Sequence, residues 1–442
     1  MSGHGDAPAM ARDELTTLAW RPAPPRAKLV AAAVAAIGLI VFLATALVDP
    51  DRAWRAFHMN WLFFTVISSA GVAFVAVQRI TTARWSRALV RLIEGYVAFL
   101  PIAFIGLILI FTFGRVHIFP WATVRPLIPE KRLYLDPAFL IPRDLIAFGI
   151  FVVLSLWLIY TSVRLDVGIL PEGGAAWARR LRERMRAGFG EERRELHSTH
   201  SLQGKLAVFV VLTFGYCWSL LAFDLSMTLD GHFQSTLYGW WSFMTGWVGA
   251  LMLLALVVVW WRWQLGAESL LEDKHFHDLG MLCFAFTAFW GYLTFGQYLV
   301  IWYGNIGEET HFMHLRFIPP WQTITSAVVL LAFFIPFFGL LSRAAKVYRP
   351  TFVLFALCSL LGTWLQRYIE VYPSVYGVPA HAPLGLPEIG ALALFAGLWW
   401  WSYLVVMDGV PKFRVLHMTS PYRDEIQVPV DPRTMEPLPA HE

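Results

Sequence analysis

The chain reads as an all-α integral membrane protein of ten transmembrane helices, on three observations. Of its 442 residues 57% are hydrophobic and only 15% charged, more apolar surface than a water-soluble core can hide. Apolar runs of about 20 residues, enough to cross a bilayer, recur along the whole length. With the N-terminus inside, 26 of the 35 Lys and Arg fall in the inner segments and 9 in the outer ones, which places both termini in the cytoplasm.

In chain order the runs are expected at 27–48, 57–78, 92–113, 144–163, 206–223, 237–261, 279–302, 320–342, 351–366 and 388–407. The first follows a polar segment, residues 1–26, which contains Pro22, Pro24 and Pro25 and is too long for a usual signal-peptide n-region, so the first run is expected to be a retained helix. Residues 27–407 then form the membrane domain and residues 408–442 a cytoplasmic tail. That tail carries Pro411, Pro421, Pro429, Pro432, Pro437 and Pro439 and no apolar run, and is expected to be extended unless a neighbour orders it.

Two loops are long: 114–142 on the outer, periplasmic side and 164–205 on the cytoplasmic side. In the second, Trp177, Leu181, Met185 and Phe189 recur every four residues among Arg179, Arg180, Arg182, Arg184 and Arg186, the pattern of a basic amphipathic helix on the membrane surface. A solvated segment obeying the positive-inside rule fits as well. Helices two to five and six to nine have the marks of two copies of one unit: His58 precedes helix two as His232 precedes helix six, and Glu94 opens helix three as Asp278 opens helix seven. Copies of four helices would run in the same direction, related by an axis along the membrane normal.

Ionisable groups within or beside apolar runs are the candidates for function, because a charge at the bilayer centre costs about 2.5–3.5 kcal/mol or more. On the inner side these are Glu94, His277 and Asp278, the last equally readable as a helix cap. On the outer side, "FDLSMTLDGHFQST" supplies Asp224, Asp230 and His232, and "IWYGNIGEET" supplies Tyr303, Glu308 and Glu309 at the end of helix seven. Carboxylates at a helix C-terminus meet its negative dipole end, so Gly304 and Gly307 are expected to stop the helix and turn both acids away. Gln297, Tyr298, Tyr292 and Thr294 are available as hydrogen-bonding links of a proton relay.

Several chemistries are excluded. Cys217, Cys283 and Cys358 lie singly in three helices, so neither an iron–sulfur cluster nor a structural zinc site is encoded, and no metal site is expected. No histidine sits at a helix centre, which argues against haem ligation. There is no phosphate-binding loop, no nucleophile elbow and no HExxH, so no catalytic residue is assigned, and nothing points to nucleic acid.

The stretch "HDLGMLCFAFTAFWGYLTFGQYLVIWYGNIGEET", 277–310, resembles the signature of the ActF subunits of bacterial alternative complex III, a quinol:cytochrome c (or other electron carrier) oxidoreductase. "FDLSMTLDGHFQSTLYGWW", 223–241, resembles a second stretch of that family. The resemblance implies an NrfD-like protein of the bacterial inner membrane, built from two four-helix bundles plus two flanking helices and lacking a redox centre of its own. It implies as partners, besides lipid, an ActC-like paralogue that receives quinol, and periplasmic subunits holding iron–sulfur clusters and multi-haem cytochrome c. No cofactor is expected on this chain, apart from a quinone head group near His58. The carried-over residues suggest a proton path from Glu94, His277 and Asp278 to Asp224, Asp230, His232, Tyr303, Glu308 and Glu309. This chain departs where the family has Pro before His232 and Ala-Asn-x-Pro-Glu-Glu after helix seven: Gly231, Gly304 and Gly307 stand there and loosen both turns. The alternative from another class is a stand-alone secondary transporter.

Overall fold

In the computed structural model, which describes residues 12–123 and 129–422, ten helices are long and apolar enough to cross a membrane. No strand occurs among the described residues. The protein is an all-α, multi-pass membrane protein. We number the spanning helices α1 Pro25–Val48, α2 Pro50–Ile80, α3 Val90–Ile118, α4 Pro137–Ile169, α5 Glu192–Leu225, α6 Tyr238–Leu265, α7 Asp273–Gly304, α8 Gln322–Gly339, α9 Arg349–Tyr376 and α10 Leu386–Gly409. An even number of crossings returns the chain to the face where it began. We call that face the N-side and the opposite one the far side.

Helices α2 to α5 close a four-membered ring, each packing on the next and α5 returning to α2. Helices α6 to α9 close a second ring in the same way. The rings meet where α2 packs on α6 and α9 while α6 packs on α5, so the contact of α2 with α9 is matched by that of α6 with α5. This is the contact pattern that two parallel copies around an axis along the membrane normal would produce. Helices α2 and α6 lie at the centre and are the most enclosed of the ten.

Helices α1 and α10 form the flanking pair, antiparallel and in the most extensive helix–helix contact of the fold. Small residues allow it, because lipid tails give no hydrophobic push between helices and close backbone approach has to supply the attraction. A Cβ on Gly38 would stand 2.2 Å from the Leu394 backbone nitrogen, and one on Gly397 would stand 2.4 Å from that of Ala35.

Both ends of the described chain join the core, and the start of the tail, expected to be extended unless a neighbour orders it, is ordered by the chain itself. A helix at Arg12–Trp20 buries Leu15 and Ala19, while beyond α10 Lys412, Phe413, Val415 and Leu416 are fully buried and the Lys412 amide donates to the Ala19 carbonyl at 3.0 Å. Residues 1–11 and 423–442, with the last four tail prolines, lie outside the described residues. The basic loop does contain a helix, Arg179–Arg186, but Arg182 is not solvated as the amphipathic pattern suggests. It is buried, pairs with Glu172 at 2.8 Å and donates to the carbonyls of Ala175 and Gly409, pinning the loop to the end of α10.

Because the atom facing Gly38 is backbone and cannot swing aside, Gly38→Val should cost roughly 2 kcal/mol. Thermal unfolding in detergent should show a clear drop for Gly38→Val and none for Gly215→Ala, where nothing lies within 4 Å.

Candidate functional site

On the N-side, Glu94 is buried in a cluster with Arg91, Asp166, Ser162 and Arg414. Arg91 pairs with both Glu94 and Asp166, and Arg414 pairs with Glu94. Ser162 donates to Glu94 at 2.8 Å and the Leu416 amide to Asp166 at 2.8 Å. Two guanidinium groups meet two carboxylates, so the cluster is neutral and its acids are satisfied. Its geometry is that of a clamp holding the tail across α3 and α4. Next to it, Asp408 accepts from Lys28 at 2.6 Å and from the Ala23 amide at 2.7 Å, with Lys412 at 3.8 Å. Burial lowers the Lys412 ammonium to about 8, against the opposing pull of Asp408.

On the far side of the first bundle, Asp224 of α5 and Asp144 of α4 are both fully buried. Arg143 donates to Asp224 at 2.6 Å, stands 3.8 Å from Asp144, and places its guanidinium carbon over the Tyr134 ring, 4.0 Å from the centroid. One guanidinium thus serves two carboxylates, and a single proton held between them would neutralise the site.

The far half of the second bundle holds the most connected polar group of the protein, centred on Glu370 of α9. Its carboxylate accepts from Arg367 at 2.5 Å and Gln366 at 2.9 Å. Gln366 also donates to Thr245 of α6 at 2.8 Å, and Trp290 of α7 donates to Thr245 and Gln366. Arg367 donates onward to Ser242. Arg316, from a short helix at Gly307–Phe317, donates to the carbonyls of Ile369 and Glu370 and to the Ser374 hydroxyl within the last two turns of α9. Burial lowers this guanidinium to about 10, so it stays charged at neutral pH.

Two cavities border this network. One, of about 330 Å³, lies between α7 and α8 and is lined by Trp241, Trp290, Gln297, Phe333, Gln366 and Glu370 among others. A second, of about 630 Å³, opens on the far side and is lined by Glu309, Ser235, Gln234 and again Gln297. Gln297 lines both cavities and is 4% exposed, and its Oε1 is buried without a hydrogen-bond partner.

The other residues singled out from sequence are more dispersed. Asp278 does not cap α7, which begins five residues earlier with Glu272 and His275 as its capping pair. It is half-exposed beside His277, with His277 Nδ1 at 3.4 Å. Asp230 accepts from the amides of His232 and Phe233 in an exposed turn, not joined to Asp224. Tyr303 projects outward. Glu308 and Glu309 do not suffer the negative end of α7: that helix stops at Gly304 with Asn305 in the left-handed conformation, and both acids fall in the first turn of the Gly307–Phe317 helix, where the dipole favours them. Lys131 of the long outer loop faces Asp230 and Glu308, which act to hold it protonated against burial. His58 does not precede α2 but sits inside it, fully buried, with neither ring nitrogen in a closed hydrogen bond and its ring edge on Phe119.

Asp166, Glu388 and Asp408 are buried acids absent from the sequence-derived candidates, and so are Asp144 and Glu370. Both were placed at or beyond expected helix ends, 144–163 and 351–366, although Gln366 and Glu370 are spaced i,i+4 and so share one helix face. Neither a known family nor a curated protein matches the chain. Among the described residues no group of three or more His, Cys, Asp or Glu is arranged to hold a metal ion.

Lys412 gives a pH test. Its folded pKa lies below the free value of 10.5, so below about pH 8 both states are charged and the fold bears the burial cost, on the order of 3 kcal/mol. Between about pH 8 and 10.5 the folded form has shed a proton that the unfolded form keeps, and stability from this group rises with pH. Lys412→Met, which leaves Asp408 paired with Lys28, should therefore be more stable than the parent at pH 7. Unfolding measured at several pH values should show that advantage shrinking toward pH 10.

Proposed function

We propose that this protein is an ActF-like subunit, without a redox centre of its own, of a quinol-oxidising complex in a bacterial inner membrane, and that its second bundle carries a proton path. The partners in this reading are an ActC-like paralogue and periplasmic iron–sulfur and multi-haem cytochrome c subunits. The N-side is then cytoplasmic, in keeping with the distribution of Lys and Arg. The observation that supports the path is that α7, the helix bearing the family-like motif, forms one wall of the Glu370 network. Along it Thr287, Trp290, Thr294 and Gln297 lead from Asp278 on the N-side toward Glu370 and the cavity that opens at Glu309.

In this path His277 and Asp278 exchange protons with the N-side. The Thr287 hydroxyl, buried and unpartnered, is the next polar group along α7. Glu370 is the intramembrane acid, its charge balanced by Arg367, and Gln297 divides it from the Glu309 cavity. Glu94 falls outside the path as a structural clamp. A stand-alone secondary transporter is the second reading, favoured by the paired parallel bundles.

Gentle purification from the native membrane separates the two: co-purification with cytochrome c and iron–sulfur subunits supports the complex, and a clean single chain supports the transporter. Within the complex, Asp278→Asn should leave assembly intact while slowing proton release during quinol oxidation by about tenfold or more, and Glu370→Gln should slow release likewise while also lowering stability, because it strands the buried Arg367 guanidinium. Unchanged release in both would sink the path. Glu94→Gln should instead lower stability by about 3 kcal/mol or more, because it strands buried guanidinium charge.

A further inference from the structure

We propose that the small cleft beside the Glu94 clamp, where α2 and α5 end on the N-side, binds a phosphate group. The inference rests on that cleft alone and stands whether or not the chain belongs to any complex.

The cleft follows from how α2 stops. Thr82 takes the left-handed conformation, with φ 49°, and its amide and that of Ala83 donate to the carbonyls of Arg79 and Gln78 at 3.3 and 3.0 Å. This closes the helix end as a Schellman turn. The turn sets Gln78 and Arg79 beside Arg87 of the following loop, His200 of α5, and Arg414 and His417 of the segment beyond α10, and these residues line the cleft. Among the described residues that line it there is no carboxylate.

Charge and unspent hydrogen-bonding groups decide what the cleft can hold. Arg414 spends Nε and Nη2 on Glu94, inside the neutral clamp. Arg79 has no such partner among the described residues. Its Nη2 donates to the His200 carbonyl at 3.1 Å, its Nε is buried without a hydrogen bond, and the charge that acts on it is that of Arg414, of like sign. The buried Nδ1 atoms of His200 and His417 are unpartnered as well. Burial and the guanidinium groups of Arg414, Arg79, Arg91 and Arg87 push the His417 pKa well down, so its ring is neutral and carries one N–H. The Gln78 side-chain oxygen accepts from Ser86 at 2.8 Å, which leaves its amide nitrogen to donate.

A half-buried cation whose neighbour is another cation is costly, and an anion with several oxygens removes the cost. Its charge offsets Arg79, and its oxygens accept from guanidinium, imidazole and amide N–H groups at once. A carboxylate offers two oxygens in one plane and a halide a single centre, fewer acceptors than the donors around this cleft. Phosphate supplies enough, and the N-side ends of spanning helices lie where lipid headgroups and dissolved phosphates both reach.

The test uses the full chain in neutral detergent and phosphate-free buffer, at ionic strength held constant with chloride. Inorganic phosphate, followed by equilibrium dialysis, reports a dissolved ligand. Dioleoyl phosphatidic acid against dioleoylglycerol, followed by native mass spectrometry, reports a lipid headgroup. One phosphate group should bind per chain through one probe or the other, and whichever binds identifies the source. Arg79→Gln should weaken that binding about tenfold. His200→Phe, which keeps the backbone carbonyl and removes an imidazole with no hydrogen bond to lose among the described residues, should weaken it severalfold while the chain remains folded. Binding of neither probe, equal retention of phosphatidic acid and dioleoylglycerol without phosphate binding, or binding undiminished in both variants overturns the site.

Discussion

A carboxylate buried among transmembrane helices has to bring its counter-cation with it, and most departures of this protein from plain apolar helices follow from that requirement. Glu94 and Asp166 share Arg91 and Arg414, Asp224 and Asp144 share Arg143, Glu370 has Arg367, Glu388 has Arg52, and Asp408 has Lys28 and Lys412. Each cation comes either from within a turn of its acid or from an element packed against it. The pairs therefore double as ties between helices. Among the described residues only the Asp144 and Asp224 site is short of a cation, and it lies at the far end of the first bundle as Glu370 lies at the far end of the second.

Pairing also divides structural charge from working charge. Around Glu94 two cations meet two acids with extra donors from Ser162 and the Leu416 amide, and such closure leaves little for a proton or ligand to do. Around Glu370 the donors converge, but Gln297, which lines two cavities, keeps a buried amide oxygen without a partner. Incomplete satisfaction inside a membrane is costly. Where it persists beside open space, it marks the part of the fold that can exchange something with its surroundings.

The ten helices and their even number were legible in the sequence, because a span needs only an apolar run of sufficient length, whereas the arrangement as two bundles and a flanking pair was only what the family resemblance implied. Helix ends were not. Asp144 bounds its expected run and Arg367 and Glu370 fall beyond theirs, yet α4 begins before Asp144 and α9 continues past Arg367 and Glu370, since a partner lets a charge stay within the helix. That placement hid Asp144 and Glu370. The ends of the chain were misjudged for a related reason: Lys412 and Arg414 look solvated until Asp408 and Glu94 are seen beside them. The acids of "GNIGEET" were correctly expected beyond the end of α7, but their setting at the start of a new helix depends on Asn305 adopting a left-handed turn.

The intimate pairing of α1 with α10, together with the bonds from Arg414 to Glu94 and from Leu416 to Asp166, sets an order on biogenesis. The first helix to leave the ribosome has its main partner in the last, and two acids inserted early are neutralised fully only when residues beyond 410 arrive. Until then the first bundle carries uncompensated charge and an open flank in the bilayer. The nascent protein thus depends on the insertion machinery to shelter a half-built intermediate, and a message truncated near its end would yield a chain that has every helix and still cannot close.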